Sequence, residues 1–239
     1  MIKIENIEVH GWEAAIRGMR NPMNSWDKSD TEYKLVHDSK CSEDVERAKM
    51  CGGVLVNIGE NDLKLMQTLI KAGSDHSKFM RMITVTVDIT APLYWWKEFD
   101  TYKVGTVRNS CSTMHKVTDK EFTLDDFSCE HLVNMFDEAL PYSYNAKFYC
   151  NYIHTLSIII ETLNGARINY LATKDKKYWW QIIQLLPSSY NQTATVQLNY
   201  AVLRNMYHSR KNHKLDEWSV DFCKWIETLP YAKELICYE

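Results

Sequence analysis

The sequence predicts a strand-poor, helix-rich α+β domain. Three features carry that reading: one segment of strict two-residue alternation from Ile83 to Ile89, a succession of helical periodicities in the C-terminal half, and the separation of the two along the chain. Strands and long helices in separate stretches argue against the repeating strand-helix rhythm of a doubly wound fold. Neither Gly-x-Gly-x-x-Gly nor Gly-x-x-x-x-Gly-Lys-Ser/Thr occurs, so both common nucleotide-binding loops are missing.

The elements follow in chain order. Ile2, Ile4, Ile7 and Val9 alternate with one slip, which predicts an edge strand carrying a bulge and closed by Gly11. Trp12 to Met19 predicts a short helix, and Ser42 to Met50 another, with Ser42 as cap and acidic residues in the first turn. Gly52-Gly53 breaks the chain before a short strand, Val54-Leu55-Val56. Asn61 is expected to cap a helix whose Leu63, Leu65, Met66, Leu69 and Ile70 fall largely on one face until Gly73 ends it. Ile83, Val85, Val87 and Ile89 alternate with Thr84, Thr86 and Asp88, the pattern of a half-buried strand. Pro92 suits the first turn of a helix bearing Tyr94, Trp95, Trp96, Phe99 and Tyr102, a surface that is either buried, in a core or a subunit interface, or holds a ligand. Further helices are expected over 123–138, 145–164, 175–185, 193–210 and 216–228, with Pro141, Pro187 and Pro230 marking connections.

With 239 residues and no linker, repeat or low-complexity stretch, the chain reads as a single domain over 1–239. A formal charge of −3 lacks the basic excess that a phosphate backbone demands, so duplex nucleic acid is not the expected partner. No apolar run, the segment Leu156 to Ile160 included, approaches the roughly 20 residues of a membrane span, and the N-terminus lacks a continuous apolar stretch after a basic start. A cytoplasmic protein with no membrane association is expected. The seven cysteines show no Cys-x-x-Cys and are expected to be reduced, and the eight histidines show no ligand spacing, so no metal is expected.

Two runs of residues carry a family resemblance. The first comprises the strand from Ile83 to Thr90, the aromatic helix from Pro92, Thr101-Tyr102-Lys103, Thr106, Asn109-Ser110-Cys111-Ser112 and Met114-His115, with Ser77 ahead of the strand. The second comprises Leu186-Pro187, Asn199, Asn205, Arg210 and Glu217-Trp218. In order and spacing these resemble the flavin-dependent thymidylate synthases. The resemblance implies a small, mainly antiparallel sheet with several long helices, an FAD cofactor, a pyrimidine nucleotide substrate and a homotetramer. The implied reaction is reductive C5 methylation, dUMP to dTMP, with methylene-tetrahydrofolate and NAD(P)H as co-substrates.

Carried over residue by residue, the resemblance implies that Arg210 is catalytic and meets the pyrimidine ring. Asn199, Asn205, Lys103 and Tyr102 fall to the cofactor, and Ser112, Asn109, Glu98 and Arg210 to the substrate, with Ser112 on its phosphate. A guanidinium beside a ring carbonyl would favour attack at C6, as a fixed cation does wherever negative charge develops. On the expected 193–210 helix, Asn199 and Arg210 would fall on nearly one line, about 16 Å apart. They either touch two ends of one ligand or are solvated, with Arg210 complementing the helix dipole.

The chain departs from the family at its Arg-His-Arg signature, where Thr101-Tyr102-Lys103 stands. That substitution opens an alternative: the same fold as a nucleotide-binding or regulatory protein without flavin. Lys97, Lys103, Arg108 and Lys116 are available as replacement cations. A further alternative makes Cys111 a nucleophile assisted by His115.

Overall fold

The computed structural model describes residues 1–36, 43–134 and 151–239 and is a mixture of helix and strand, 51% helical. Strand β1 (Lys3–His10) leads into helix α1 (Trp12–Arg20), then β2 (Glu32–Leu35), α2 (Glu43–Met50), β3 (Val54–Asn57) and α3 (Glu60–Lys71). Next come β4 (Thr84–Pro92), α4 (Leu93–Phe99) and β5 (Val107–Ser110). The C-terminal part holds α5 (Tyr152–Thr173), α6 (Lys176–Leu185), β6 (Asn191–Asn199), α7 (Tyr200–Arg210), a π-helical stretch Glu217–Phe222, α8 (Cys223–Thr228) and α9 (Ala232–Leu235). One sheet has the order β1-β4-β6-β5, and β2 pairs antiparallel with β3, Glu32 opposite Asn57 and Leu35 opposite Val54.

The slip in β1 and its edge position are both present: Asn6 takes φ 52°, and only β4 adjoins the strand. Gly11 has φ 93°, and a Cβ there would lie 1.9 Å from the Met82 carbonyl oxygen, so the turn into α1 admits only glycine. In β4, Val85, Val87 and Ile89 are buried and alternate with half-buried Thr84, Thr86 and Asp88.

The expected helix over 193–210 is a strand followed by a shorter helix. Gln192, Ala194, Val196 and Leu198 are buried and alternate with exposed Thr193, Thr195 and Gln197, a period of two that seats the segment between β4 and β5. The expected helix over 123–138 is a single 3-10 turn, Leu124–Asp126, closed by a capping box between Thr123 and Asp126. Its remainder to Asn134 is irregular, and 135–138 lies outside the described residues. The helix expected over 145–164 runs as α5 to Thr173, with 145–150 outside the described residues, as is Ser42. Gly59, not Asn61, caps α3, and the Asp30 carboxylate accepts from the Asn61 and Asp62 amides at 2.9 and 3.0 Å. Pro92 ends β4 instead of opening α4. The indoles of Trp95 and Trp96 are buried, with ring centroids 4.9 Å apart, and Phe99 is buried as well, so these rings are core and form no open face.

Close contacts group the chain into two units, each drawn from separate segments. One takes Met1, Thr90–Lys97 and the described part of Ser110–Thr193. Its core packs Phe122, Phe127, Leu156, Ile160, Leu163 and Ile182. There the Asn164 carboxamide exchanges two 2.9 Å hydrogen bonds with the Phe122 backbone, which fixes an irregular segment against α5.

The other unit takes the described part of Ile2–Ile89, Glu98–Asn109 and Ala194–Glu239. A buried polar network ties its α1 to α3. Asp62 is fully buried and accepts from Arg20 Nε, Ser29 Oγ and Thr31 Oγ1, each at 2.7 Å, and from the Asp30 and Thr31 amides at 3.1 Å. Arg20 also donates to the Ser25 and Lys28 carbonyls at 3.1 and 2.9 Å. Burial opposes ionisation of Asp62, but the bonds from Ser29, Thr31 and Arg20 and the Arg20 charge outweigh it and hold the carboxyl below the usual aspartate range.

Asp62→Asn is therefore expected to destabilise this protein by about 3–5 kcal/mol, because it strands the Arg20 charge in the interior. Urea unfolding at pH 7 measures it. A carboxyl whose folded pKa is depressed stabilises above its unfolded value and loses that contribution as pH falls through the folded one. The gap between wild type and variant should thus narrow below about pH 4.

Candidate functional site

Helix α7 buries Tyr200, Leu203 and Met206 and leaves its last turn, with His208 and Arg210, partly open. The last turn of a helix carries unsatisfied carbonyls and favours a cation. Arg210 occupies that position within the larger unit, and its side chain is 17% exposed. Its Nη1 donates to Glu98 Oε2 at 2.7 Å and its Nε to Tyr102 Oη at 2.9 Å. The guanidinium carbon lies 4.9 Å from the ring centroid of Trp218 and 5.5 Å from that of Tyr102.

Each partner is placed by local chain structure. Glu98 is in the last turn of α4, and its carbonyl accepts from the Thr101 amide and hydroxyl, which closes the turn that brings Tyr102 back. Trp218 is fully buried in the π-helical stretch, stacked on Phe99 at 6.4 Å and edge-on to Phe222 at 5.2 Å. One-turn π-helices recur at functional sites because the extra residue redirects side chains. His213 lies just past α7: its amide donates to the Arg210 carbonyl at 2.9 Å, its Nδ1 accepts from the Leu215 amide at 3.2 Å, and its Nε2 lies 3.3 Å from Glu98 Oε2. Arg210, Glu98 and Tyr102, three residues singled out from sequence, thus converge with Trp218. His213 was missed, and its only sequence signal is its place three residues beyond Arg210.

The two asparagines differ. Asn199 is not inside the helix: it ends β6 and caps α7, its Oδ1 accepting from the Val202 amide at 3.0 Å. Gly105, at φ 80°, passes so close that a Cβ there would lie 3.0 Å from Asn199 Nδ2. Asn205 is exposed at a cavity of about 360 Å³ whose lining includes Ile70, Ser77, Met80, Arg81 and His208. Neither Asn205 nor Arg81 makes a side-chain hydrogen bond among the described residues. Also at this cavity, Arg204 donates to the Ile236 carbonyl at 2.9 Å, and burial, followed by the Arg204 charge, pushes His208 below the usual imidazole range.

Lys103 and Asn109 are exposed in the same unit as Arg210. Of the other candidate cations, Arg108 forms a 2.8 Å ion pair with Asp100 and Lys116 one of 2.9 Å with Asp119. Ser112 belongs to the smaller unit, where its hydroxyl oxygen accepts from the Met114 and His115 amides at 3.2 and 3.1 Å. Cys111 is exposed, and no hydrogen bond joins its thiol to His115 among the described residues. Among those residues no three His, Cys, Asp or Glu side chains converge as metal ligands, and no helix is long and apolar enough to cross a membrane.

Scans against protein-family models and curated protein sequences find no match. Solved structures do match. A thymidylate synthase X (ThyX) from Helicobacter pylori with FAD and dUMP superposes with a TM-score of 0.62 at 13% identity, over 99% of this chain and 97% of that one. A second structure of the flavin-dependent enzyme from the same organism, complexed with FAD and dUMP, gives 0.60 at 13% identity, over 98% of each chain. The UMP/dUMP methylase PolB from Streptomyces cacaoi, bound with 5-Br UMP, gives 0.51 at 16% identity, over 88% of this chain and 96% of that one. At these identities the likeness is one of fold: the chain has a ThyX-like fold.

Tyr102→Phe keeps the ring beside Arg210 and removes the phenolic oxygen. It is expected to lower stability by about 1 kcal/mol, the modest value of a partly exposed bond to a charged donor. Urea unfolding checks this, and an unchanged midpoint would show that the Nε contact holds nothing in place.

Proposed function

We propose that this chain binds a uracil nucleotide at Arg210 and is a thymidylate synthase-like flavoenzyme that reductively methylates C5. The observation that supports the reading most directly is the oriented guanidinium of Arg210, held by Glu98, Tyr102 and Trp218 on a ThyX-like fold. A cation fixed before the ligand arrives stabilises charge on a ring carbonyl without reorganisation at the moment of attack on C6. Balanced over the whole reaction, dUMP gains a methyl group from methylene-tetrahydrofolate with two electrons from NAD(P)H and a proton, which leaves dTMP, tetrahydrofolate and NAD(P)+.

The cavity beside α7 fits a flat heteroaromatic group: Ile70 and Met80 are apolar, while Asn205 and Arg81 carry uncommitted donors. Under this reading Asn205 and Arg81 hold the FAD ring system, and Asn199 keeps its role as helix cap. A bound flavin supplies hydride chemistry. The reading also takes the assembly to be a homotetramer in the cytoplasm.

One observation favours a second reading, in which the fold binds nucleotide without flavin. In the register of Arg-His-Arg, the Thr101 hydroxyl closes the α4 turn and the Tyr102 hydroxyl serves Arg210, so Lys103 alone remains as an open cation there.

Titrating the purified protein with FAD, followed by absorbance and quenching of flavin fluorescence, separates the two readings. The first expects saturable binding that Asn205→Ala weakens by about 1–2 kcal/mol. Protein that binds dUMP but never FAD would establish the second. Arg210→Ala should reduce release of tritium from [5-³H]dUMP by about 10²–10³-fold while leaving the circular dichroism spectrum unchanged. Turnover that survives this change would remove Arg210 from the chemistry.

A further inference from the structure

Trp12, Trp95, Trp96, Trp218 and Trp225 are buried, as the large apolar area of an indole favours. Trp26 is 50% exposed and is nonetheless fixed, because its Nε1 donates to Asn21 Oδ1 at 2.9 Å and so commits the polar edge of the ring. The indole borders a cavity of about 190 Å³ that is also lined by Glu13, Ile16, Arg17, Arg20, Ser29 and Tyr33. This cavity shares no residue with the one beside α7. Its volume is below the roughly 300–1,000 Å³ that encloses a drug-sized molecule, so it suits a single headgroup.

The polar groups around the cavity differ in how far they are committed. Arg20 and Ser29 both donate to Asp62, and the Arg20 charge is neutralised there. Glu13 and Arg17, one turn apart on α1 and both largely exposed, approach only to 3.8 Å. Burial, followed by the negative charges of Glu13 and Asp62, pushes the Tyr33 phenol up to about 12, so Tyr33 is a neutral ring in a negative field.

We propose that this cavity binds a methylated ammonium headgroup, held by the rings of Trp26 and Tyr33 and by the Glu13 carboxylate. The electron-rich face of an aromatic ring attracts a cation, and that of tryptophan does so most strongly. Methylation follows from the scarcity of acceptors. A primary ammonium brings three N–H donors, and the lining offers them little beyond Glu13, since the Ser29 hydroxyl already serves Asp62. A headgroup with methyls in place of those protons gives up no hydrogen bonds on leaving water, and it packs against the buried Ile16. Arg17 is then the internal competitor, a cation beside Glu13 in an exposed pair of the kind that contributes little.

The test is isothermal titration of the full chain with choline and with 3,3-dimethyl-1-butanol, which has the same shape with carbon in place of the charged nitrogen. Choline should bind saturably and about tenfold more tightly than the alcohol. Trp26→Leu and Tyr33→Leu should each weaken choline binding by about three- to tenfold, and Glu13→Gln by about twofold. Arg17→Ala should tighten it by about two- to fivefold, because it removes the competing cation. A parallel titration with N-acetyl-trimethyllysine amide distinguishes the sources of such a headgroup: tighter binding than choline supports a methylated side chain of another protein, and otherwise the site is one for a small-molecule cation. Equal affinities for choline and the alcohol, or no saturable binding of either cation, would overturn the proposal. If Trp26→Leu or Tyr33→Leu loses the native circular dichroism spectrum, Arg17→Ala at its exposed position decides: tighter binding supports the site, and unchanged or weaker binding overturns it.

Discussion

A guanidinium at the end of a helix stays in one orientation only if other elements hold it, and several elements of the larger unit do so at Arg210. Its charge meets the Glu98 carboxylate, its Nε meets Tyr102, and Trp218 lies against its face. None of these contacts is strong alone: a partly exposed ion pair contributes about 0–1 kcal/mol, and a cation over an aromatic ring about 0.5–2 kcal/mol. Their common effect is geometric. The end of α4, the turn behind it, the end of α7 and the π-helical stretch must all hold their places for the three contacts to coexist.

The larger unit contains a second arginine-carboxylate pair that shows what a purely structural arrangement looks like. Around Arg20 and Asp62 every guanidinium nitrogen donates and both carboxylate oxygens accept, one of them from four donors. Nothing remains for a ligand, and both groups are buried. At Arg210 and Glu98 the same chemistry is left incomplete and partly open to solvent. A buried pair with open valences would be costly, whereas a pair at the surface can keep them hydrated until something replaces the water. The two pairs thus differ in how many of their donors and acceptors the protein itself satisfies.

Much of this was legible in the sequence where period and punctuation agreed. The alternation of Ile83 to Ile89, the slip in β1, the glycine after it and the span of α6 all follow from local pattern. The failures have identifiable physical sources. The segment from Gln192 to Leu198 alternates as cleanly as β4, but Thr, Ala and Gln give a weak apolar signal, and the helical periodicity that follows masked it. Strand β5, Val-Arg-Asn-Ser, has no alternation to read and exists because β6 gives it a partner. Where the sequence joined Asn199 and Arg210 on one helical line, the chain instead changes from strand to helix at Asn199, whose side chain is drawn into the cap. Arg210, Glu98 and Tyr102 were identified through family register, and their mutual contact is something no spacing rule contains, since Glu98 and Arg210 are 112 positions apart.

The departure from the family signature takes on a specific meaning in this light. A Thr-Tyr-Lys segment in place of Arg-His-Arg does not leave a gap: Thr101 completes the turn after α4, and Tyr102 becomes the acceptor that orients Arg210. Both hydroxyls are thereby committed within the protein, one to the turn and one to Arg210. Lys103 is exposed, and a lysine is a mobile point charge that cannot match the planar fork of an arginine. Under the proposed uracil-nucleotide reading, this register therefore offers one mobile ammonium, and the fixed charge is left to Arg210.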